Sequence, residues 1–230
     1  MKNSLLTILV FIAFLIVEPS KAQKRDVFLG GKIGTAIPLN IKDKNDIGFG
    51  DVAKAGVIVG FRGLWMYEKR LSLGAELNYQ YNSPDNGFWY IDPQYGDITV
   101  HYRTASLLFS GDYYFSHKDV RPYLGIAFGG FYIFNDLTYV SSYTGTDNDR
   151  SVSYKTNLFK PGFAPETGIV FRLSKKTLLD INAKLVFIPN IPDQYENVYD
   201  ENGVVIKVIN KNPHANQQNL QLTVSLLFGL

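Results

Sequence analysis

The chain has 230 residues, with 23 Lys and Arg against 21 Asp and Glu and no cysteine. A charge balance so close to neutral gives no reason to expect nucleic acid as a partner. A sequence without cysteine excludes a disulfide-stabilised scaffold, so the stability of the protein has to come from the fold itself.

The amino terminus is typical of a secretory signal peptide. An apolar run from Leu5 to Val17 is followed by small residues that end at Ala22. The run is shorter than the roughly 20 apolar residues of a membrane-spanning helix and falls in the range of about 7–15 seen in signal peptides. We therefore predict a cleaved signal peptide over residues 1–22 and one domain over residues 23–230. An uncleaved anchor is the alternative.

Eight later segments alternate apolar and polar residues with the period of two that is typical of β-strands. In chain order they are residues 27–39, 53–65, 71–82, 100–115, 121–134, 162–174, 178–187 and 219–230. In the third segment, Leu73 and Leu77 lie on one face and Glu76 lies on the other. A period of two separates the faces of a strand, but it does not say which face points inward.

The connections between these segments are alternately short and long. The short ones are residues 66–70, 116–120 and 174–177, and the long ones are about 40–52, 82–98, 135–160 and 188–217. An up-and-down barrel with these connections has all short turns at one end and all long loops at the other, as outer-membrane barrels do. The pattern predicts an all-β fold, an eight-stranded antiparallel up-and-down transmembrane β-barrel. A soluble, lipocalin-like periplasmic lipid-binding barrel is the alternative.

Three observations favour the membrane barrel. The segments reach the length of about 9–11 residues that crosses a bilayer at a tilt. Aromatic residues gather toward both ends of the apolar face, as interfacial girdles require; they are Trp65, Tyr113, Phe115 and Phe228 near the short turns, and Tyr79, Tyr81, Tyr132, Phe134 and Phe187 near the long loops. Glycine is abundant on the opposite face, which suits the interior of a narrow tube. We therefore expect the Leu and Tyr face to contact lipid and Glu76 to point inward.

The pattern resembles the small outer-membrane β-barrel family of the OmpA/OmpX type from Gram-negative bacteria. The resemblance is carried by the signal peptide, the alternating strands, "RPYLGIAFGG" in the fifth segment and the amphipathic last segment "LQLTVSLLFGL". It implies location in the cell outer membrane, contact with outer-membrane lipid and lipopolysaccharide, and recognition by the barrel-assembly machinery. That machinery reads a terminal aromatic residue in the family, whereas Phe228 is followed here by Gly229 and Leu230.

Charged residues on the inward face predict an interior charge network. Its expected members are Lys54, Arg62, Glu76, Asp112, Glu166, Arg172, Asp180 and Lys184. The turn at 66–70 brings Glu76 near Arg62. Since the interior of an eight-stranded barrel is just wide enough for side chains to fill, we expect a plugged interior in which these charges pair. A narrow pore is the alternative.

A tight turn at residues 174–177 predicts specific partners within that network. It places Arg172 directly opposite Asp180, and it places Glu166 diagonal to Lys184. Opposite charges in these positions stabilise a pair of strands.

The sequence contains no catalytic or metal-binding pattern. Its three histidines are His101, His117 and His214, and none has a serine and an acid at a spacing that suggests nucleophilic catalysis. Without cysteine and with scattered histidines, no ligand spacing indicates a metal. We therefore expect no enzyme activity, no metal and no cofactor. An outer-membrane lipid-modifying enzyme is an alternative.

Two loop segments are candidates for contacts outside the cell. Phe88, Trp89, Tyr90 and Tyr95 are aromatic residues beside acids in the second long loop, and they predict a binding surface for an external ligand or protein. Insertion into the lipopolysaccharide headgroups is the other interpretation. Residues 204–210 alternate in the last long loop, and they predict that the seventh and eighth strands extend outward as a hairpin.

Overall fold

The structure is a computed structural model that describes residues 26–39, 49–90, 93, 96–141, 151–191, 197–199, 205–208 and 215–230. No helix among these residues is long and apolar enough to cross a membrane. The predicted signal peptide, residues 1–22, lies outside the described residues and stays a prediction.

The described part of the chain contains ten strands and one short helix. They are β1 (Asp26–Pro38), α1 (Phe49–Val52), β2 (Ala53–Met66), β3 (Leu71–Pro84), β4 (Gly96–Tyr114), β5 (Val120–Ser141), β6 (Ser151–Ser174), β7 (Thr177–Ile191), β8 (Asn197–Tyr199), β9 (Val205–Val208) and β10 (Ala215–Gly229).

Eight of the strands form a closed antiparallel barrel. Their order around the barrel is β1-β10-β7-β6-β5-β4-β3-β2. Each of the eight pairs with the barrel strands before and after it in the chain, and the small β8–β9 sheet, which lies between β7 and β10 in sequence, is separate. The first and last strands close the barrel, with Leu29 opposite Phe228. The predicted eight-stranded up-and-down barrel is confirmed.

The two faces of the barrel have opposite chemistry. The Leu77 side chain is 56% exposed on the outside, whereas its neighbour Glu76 is 1% exposed and points inward. Every barrel strand contributes to a band of exposed apolar residues on the outer face; one from each strand in chain order is Ile33, Phe61, Leu77, Phe109, Phe128, Phe163, Ile181 and Val224. The predicted orientation of the third strand is confirmed.

The interior is filled with side chains in layers. At the end with the short turns lies an apolar layer of Phe28, Leu64, Tyr114, Tyr123, Val170, Leu178 and Leu227. Charged residues fill the middle. Toward the long loops, an inner apolar cluster lines the β4–β7 side of the wall and consists of Leu108, Ala127, Phe131, Ile133, Ala164, Val186, Ile188 and Ile191.

Several barrel strands extend further toward the long loops than the sequence predicted, most of all β5 and β6. Most of the predicted loop 135–160 is strand, because β5 and β6 stay paired as far as Val140 opposite Ser151. In this extension polar residues also face outward, for example Asp136 opposite Lys155. In this extension both faces of the strands carry polar residues. The alternation of apolar and polar residues that identified the rest of each strand is therefore absent here.

The predicted hairpin in the connection between the seventh and eighth segments forms, but it does not continue the barrel strands. Residues 205–208 pair with residues 197–199 in a separate two-stranded sheet. The barrel strand β7 ends at Ile191, opposite Ala215 of β10. Alternation along residues 204–210 indicated a strand, but it carries no information about whether that strand continues the ladder of the barrel.

Candidate functional site

The charged interior is centred on Arg62 of β2. Its Nη1 lies 2.9 Å from Glu76 Oε1 and 3.2 Å from Asp180 Oδ2. Its Nη2 lies 3.2 Å from Asp112 Oδ2, and Nη1 is also 3.6 Å from Glu166 Oε2. The planar guanidinium carries donors in several directions, so one arginine can bind carboxylates from four different strands.

Two lysines complete the positive side of the site. Lys32 Nζ and Lys184 Nζ lie 2.6 Å and 2.7 Å from the same oxygen, Glu76 Oε2. Lys184 Nζ is also 3.2 Å from Glu166 Oε2. Glu76 is thus bound by three cations, since Arg62 contacts its other oxygen.

Neutral side chains satisfy further oxygens of the site. The Tyr123 hydroxyl donates to Asp180 Oδ1 at 3.0 Å. Asn182 Nδ2 donates to the Tyr123 hydroxyl at 2.7 Å and to Glu166 Oε2 at 2.8 Å. We call the ionisable members the central ion-pair cluster: Lys32, Arg62, Glu76, Asp112, Glu166, Asp180 and Lys184.

The sequence assembles this cluster from inward positions on six strands. Two of its members, Asp180 and Lys184, lie on β7, and β5 contributes Gly125 beside the charges. A Cβ at Gly125 would clash with the Asp112 carboxylate and lie 3.2 Å from Glu166 Cγ. Small residues are needed where charged side chains from neighbouring strands fill a narrow barrel.

The cluster is buried. The side chains of Arg62, Glu166 and Lys184 have no exposed surface, an apolar layer lies toward the short turns, and the inner apolar cluster lines the β4–β7 wall toward the long loops. Charges removed from water are stable only when they are paired and hydrogen-bonded. The arrangement therefore links six strands of the wall through its interior, and each of its four carboxylates lies in contact with Arg62.

Six of the predicted network residues lie in the central ion-pair cluster: Arg62, Glu76, Asp112, Glu166, Asp180 and Lys184. Lys54 does not, because the β2 register is irregular between Ala53 and Gly56. The irregularity turns the Lys54 side chain outward, where it is 57% exposed and its Nζ lies 3.9 Å from Asp85 Oδ2.

The predicted pair of Arg172 and Asp180 is wrong. An irregularity between Arg172 and Ser174 shifts the register, so that Arg172 lies opposite Leu178 and is exposed at the short-turn end. The same shift brings Glu166 directly opposite Lys184 rather than diagonal to it. A β-bulge of this kind moves every partner beyond it.

Lys32 belongs to the cluster although the sequence pattern did not single it out. The sequence did contain a signal for this: Lys32 precedes Ile33 in the first segment, and a residue next to one that faces outward faces inward. Its partner Glu76 is on β3, two strands away around the barrel. Turn arithmetic relates only adjacent strands, so it could not find this pair.

The pair of Glu166 and Lys184 provides a direct test of the observed register. We expect Glu166→Gln and Lys184→Met to be non-additive, with a coupling of about 0.5–3 kcal/mol in the free energy of unfolding, because the two side chains touch. Urea unfolding in detergent micelles measures both single changes and the double change. The control cycle, Arg172→Met with Asp180→Asn, should be additive. Additive behaviour of Glu166 and Lys184 would contradict the register.

The aromatic loop packs onto the barrel instead of forming an open aromatic surface. Trp89 is buried, and its Nε1 donates to the carbonyl of Val52 at 2.9 Å. It belongs to a cap cluster with Ala53, Val100, Tyr102 and Leu137, and Phe88 packs against it. Tyr90 is 70% exposed, and Tyr95 lies outside the described residues. Of the described aromatic residues in the predicted binding surface, Tyr90 is exposed, Phe88 is half-buried and Trp89 is buried.

The histidines are dispersed. His101 lies opposite Asp136 in the β4–β5 ladder, an acidic neighbour that sequence spacing did not predict. The Asp136 carboxylate forms an ion pair with Arg103. His117 lies in the turn between β4 and β5, and His214 lies outside the described residues. Among the residues that the structure describes, no group of three or more His, Cys, Asp or Glu could hold a metal ion.

Comparison with known proteins identifies the fold. No known protein family and no curated protein matches the sequence. Among solved structures, a major outer membrane protein from Thermus thermophilus matches with a TM-score of 0.50 and 13% identity, over 89% of this chain and 99% of that chain. The chain has the fold of the small outer-membrane β-barrels. At 13% identity the similarity shows the fold and no activity.

Two further solved structures are similar to this chain over most of their length. Neisserial surface protein A matches with a TM-score of 0.48 and 13% identity, over 90% of this chain and 99% of that chain. The outer membrane protein OprG from Pseudomonas aeruginosa matches with a TM-score of 0.44 and 14% identity, over 89% of this chain and 94% of that chain.

Proposed function

We propose that this protein is an integral outer-membrane β-barrel whose interior is plugged and whose role is structural or in contacts at the cell surface. The observation that supports it most is the inversion of the usual distribution of polarity. Phe61 is 70% exposed on the outer face, whereas its neighbour Arg62 is buried inside. In water this arrangement would expose a large apolar surface, whereas in a bilayer the same surface contacts lipid.

The interior supports a plug more than a pore. Each lysine and the arginine of the central ion-pair cluster contacts at least one carboxylate within 2.9 Å. The apolar layer at the short-turn end contains the fully buried rings of Tyr114 and Tyr123. A conducting solute would have to displace that layer and separate buried ion pairs, which is costly in a low dielectric.

The extension of β4, β5 and β6 supports a role at the surface. These three strands continue past the apolar band, with polar pairs such as Asp136 and Lys155 on the outward face. A rigid paired sheet there would present a fixed surface beyond the membrane, and exposed Tyr90 lies on the neighbouring loop. The partner proposed for this surface is a ligand or protein outside the cell.

The proposal predicts the behaviour of the purified protein. It should be recovered with the outer membrane, require detergent for extraction and migrate differently on a gel before and after boiling, because a hydrogen-bonded barrel resists unfolding by detergent. Reconstituted in a planar bilayer, it should show no conductance above that of the protein-free bilayer. Recovery as a soluble periplasmic protein would contradict the membrane location, and stable channel currents would contradict the plug.

A further inference from the structure

The end of the barrel that carries the short turns has a strongly positive surface, which we call the basic short-turn end. Its exposed cations lie in or beside all three turns: Lys69, Arg70, Lys118, Arg172, Lys175 and Lys176. The acids described at this end are Asp26, Glu68 and Asp119. The three turns join β2 to β3, β4 to β5 and β6 to β7, so the positive charge is spread around the barrel.

The cations of the basic short-turn end lack the close ion pairs that occur at the other end of the barrel. At the long-loop end, Lys54 Nζ lies 3.9 Å from Asp85 Oδ2, and Arg103 forms an ion pair with Asp136. Within the described ranges, none of the six exposed cations at the short turns has a carboxylate oxygen within 4.0 Å. A surface with such a surplus of one charge raises the local concentration of ions of the opposite charge.

The basic short-turn end adjoins the apolar band. Trp65, Tyr113 and Phe115 lie on the outer face near the turns, and the rings of Tyr113 and Phe115 pack edge to face with centroids 5.6 Å apart. The Tyr113 hydroxyl accepts a hydrogen bond from Arg70 Nη1 at 3.3 Å. Aromatic rings at the edge of a lipid-facing band lie at the level of the headgroups. A guanidinium that contacts such a ring is therefore within reach of lipid phosphates.

We propose that the basic short-turn end binds the anionic headgroups of phospholipids in the inner leaflet of the outer membrane. The proposal rests on the membrane location proposed above, in which the short turns face the periplasm. The occupant is a lipid because the cations adjoin the lipid-facing band, so that one phospholipid can bind through its acyl chains and its headgroup at once. Lys and Arg near a membrane surface attract anionic lipids, and a guanidinium can bind two phosphate oxygens together.

Trp65 fluorescence reports which lipids lie beside the turn between β2 and β3. The unmodified protein is refolded into vesicles of equal parts phosphatidylcholine and phosphatidylglycerol. Bromine, which quenches tryptophan at short range, is carried on the acyl chains of one lipid or of the other. We expect quenching to be severalfold stronger when phosphatidylglycerol carries the bromine. Trp89 adds a constant background, because it is buried in the cap cluster toward the long loops.

Removing the cations nearest to Trp65 should weaken this preference. In the double variant Lys69→Gln and Arg70→Gln, the ratio of the two quenchings should fall toward one. The matched control is Lys54→Gln with Lys155→Gln, which removes the same charge from exposed positions at the long-loop end and should leave the ratio unchanged. About 1 M NaCl should also lower the ratio in the unmodified protein, because salt screens exposed charges. An unchanged ratio in the Lys69 and Arg70 variant would overturn the proposal.

The same measurement separates failure of this inference from failure of the membrane location. If neither brominated lipid quenches Trp65, the barrel is not in the bilayer and the membrane location is wrong. If both lipids quench it equally in the unmodified protein, the location stands and the preference for anionic lipid is overturned.

A cell-wall polymer is the alternative anionic partner of the basic short-turn end. The test is co-sedimentation of the detergent-solubilised protein with purified peptidoglycan. We expect no co-sedimentation above that of the Lys69→Gln and Arg70→Gln variant. Co-sedimentation that this variant loses, together with equal quenching by the two lipids, would assign the surface to the polymer and overturn the lipid inference.

Discussion

Replacing Arg62 with methionine is expected to destabilise the barrel by about 3–5 kcal/mol, because removing one partner of a buried ion pair leaves charge without compensation. Arg62 contacts carboxylates on β3, β4, β6 and β7. Without it, four buried carboxylates face only Lys32 and Lys184. Methionine fills part of the space but supplies no donor, so the loss is mainly electrostatic.

The measurement is urea unfolding of the refolded protein in detergent micelles, followed by the shift in gel mobility. The matched control is Arg172→Met, the same substitution at an exposed arginine of the short-turn end. It should change the free energy of unfolding by no more than about 0.5 kcal/mol. Equal effects of the two substitutions would show that Arg62 is not the centre of a buried cluster.

Introducing an arginine at Leu77 is expected to block membrane assembly. Leu77 is an exposed member of the apolar band on β3, and a cation near the bilayer midplane costs about 2–4 kcal/mol. The same change at Leu71 is the control. Leu71 lies on the same face beside the short turn, where the cost falls to about 0–1 kcal/mol near the interface.

Assembly is measured as the fraction of protein that becomes resistant to unfolding after refolding into lipid vesicles. We expect the resistant fraction to be largest for the unmodified protein, slightly smaller for Leu71→Arg and much smaller for Leu77→Arg. Because both variants carry the same added charge, a difference between them reports depth in the membrane. Equal and normal assembly of both would mean that the Leu77 face does not contact lipid.

The sequence alone determined the architecture and the faces of this barrel. Alternation with a period of two located the eight strands, and the regular succession of short and long connections predicted their up-and-down order. These signals are local, since each depends on residues close together in the chain. Leu77 pointing outward and Glu76 pointing inward follow from that local pattern once a membrane surrounds the barrel.

Only the tertiary structure decided which inward residues meet. Irregular registers turned Lys54 outward and moved Arg172 away from Asp180. Lys32 pairs with Glu76 two strands away around the barrel. Trp89 is buried in the cap cluster, where the sequence predicted an exposed binding surface. The physical reason is that a single extra residue in a strand shifts every pair beyond it, while partners across a narrow interior are set by closure of the whole barrel.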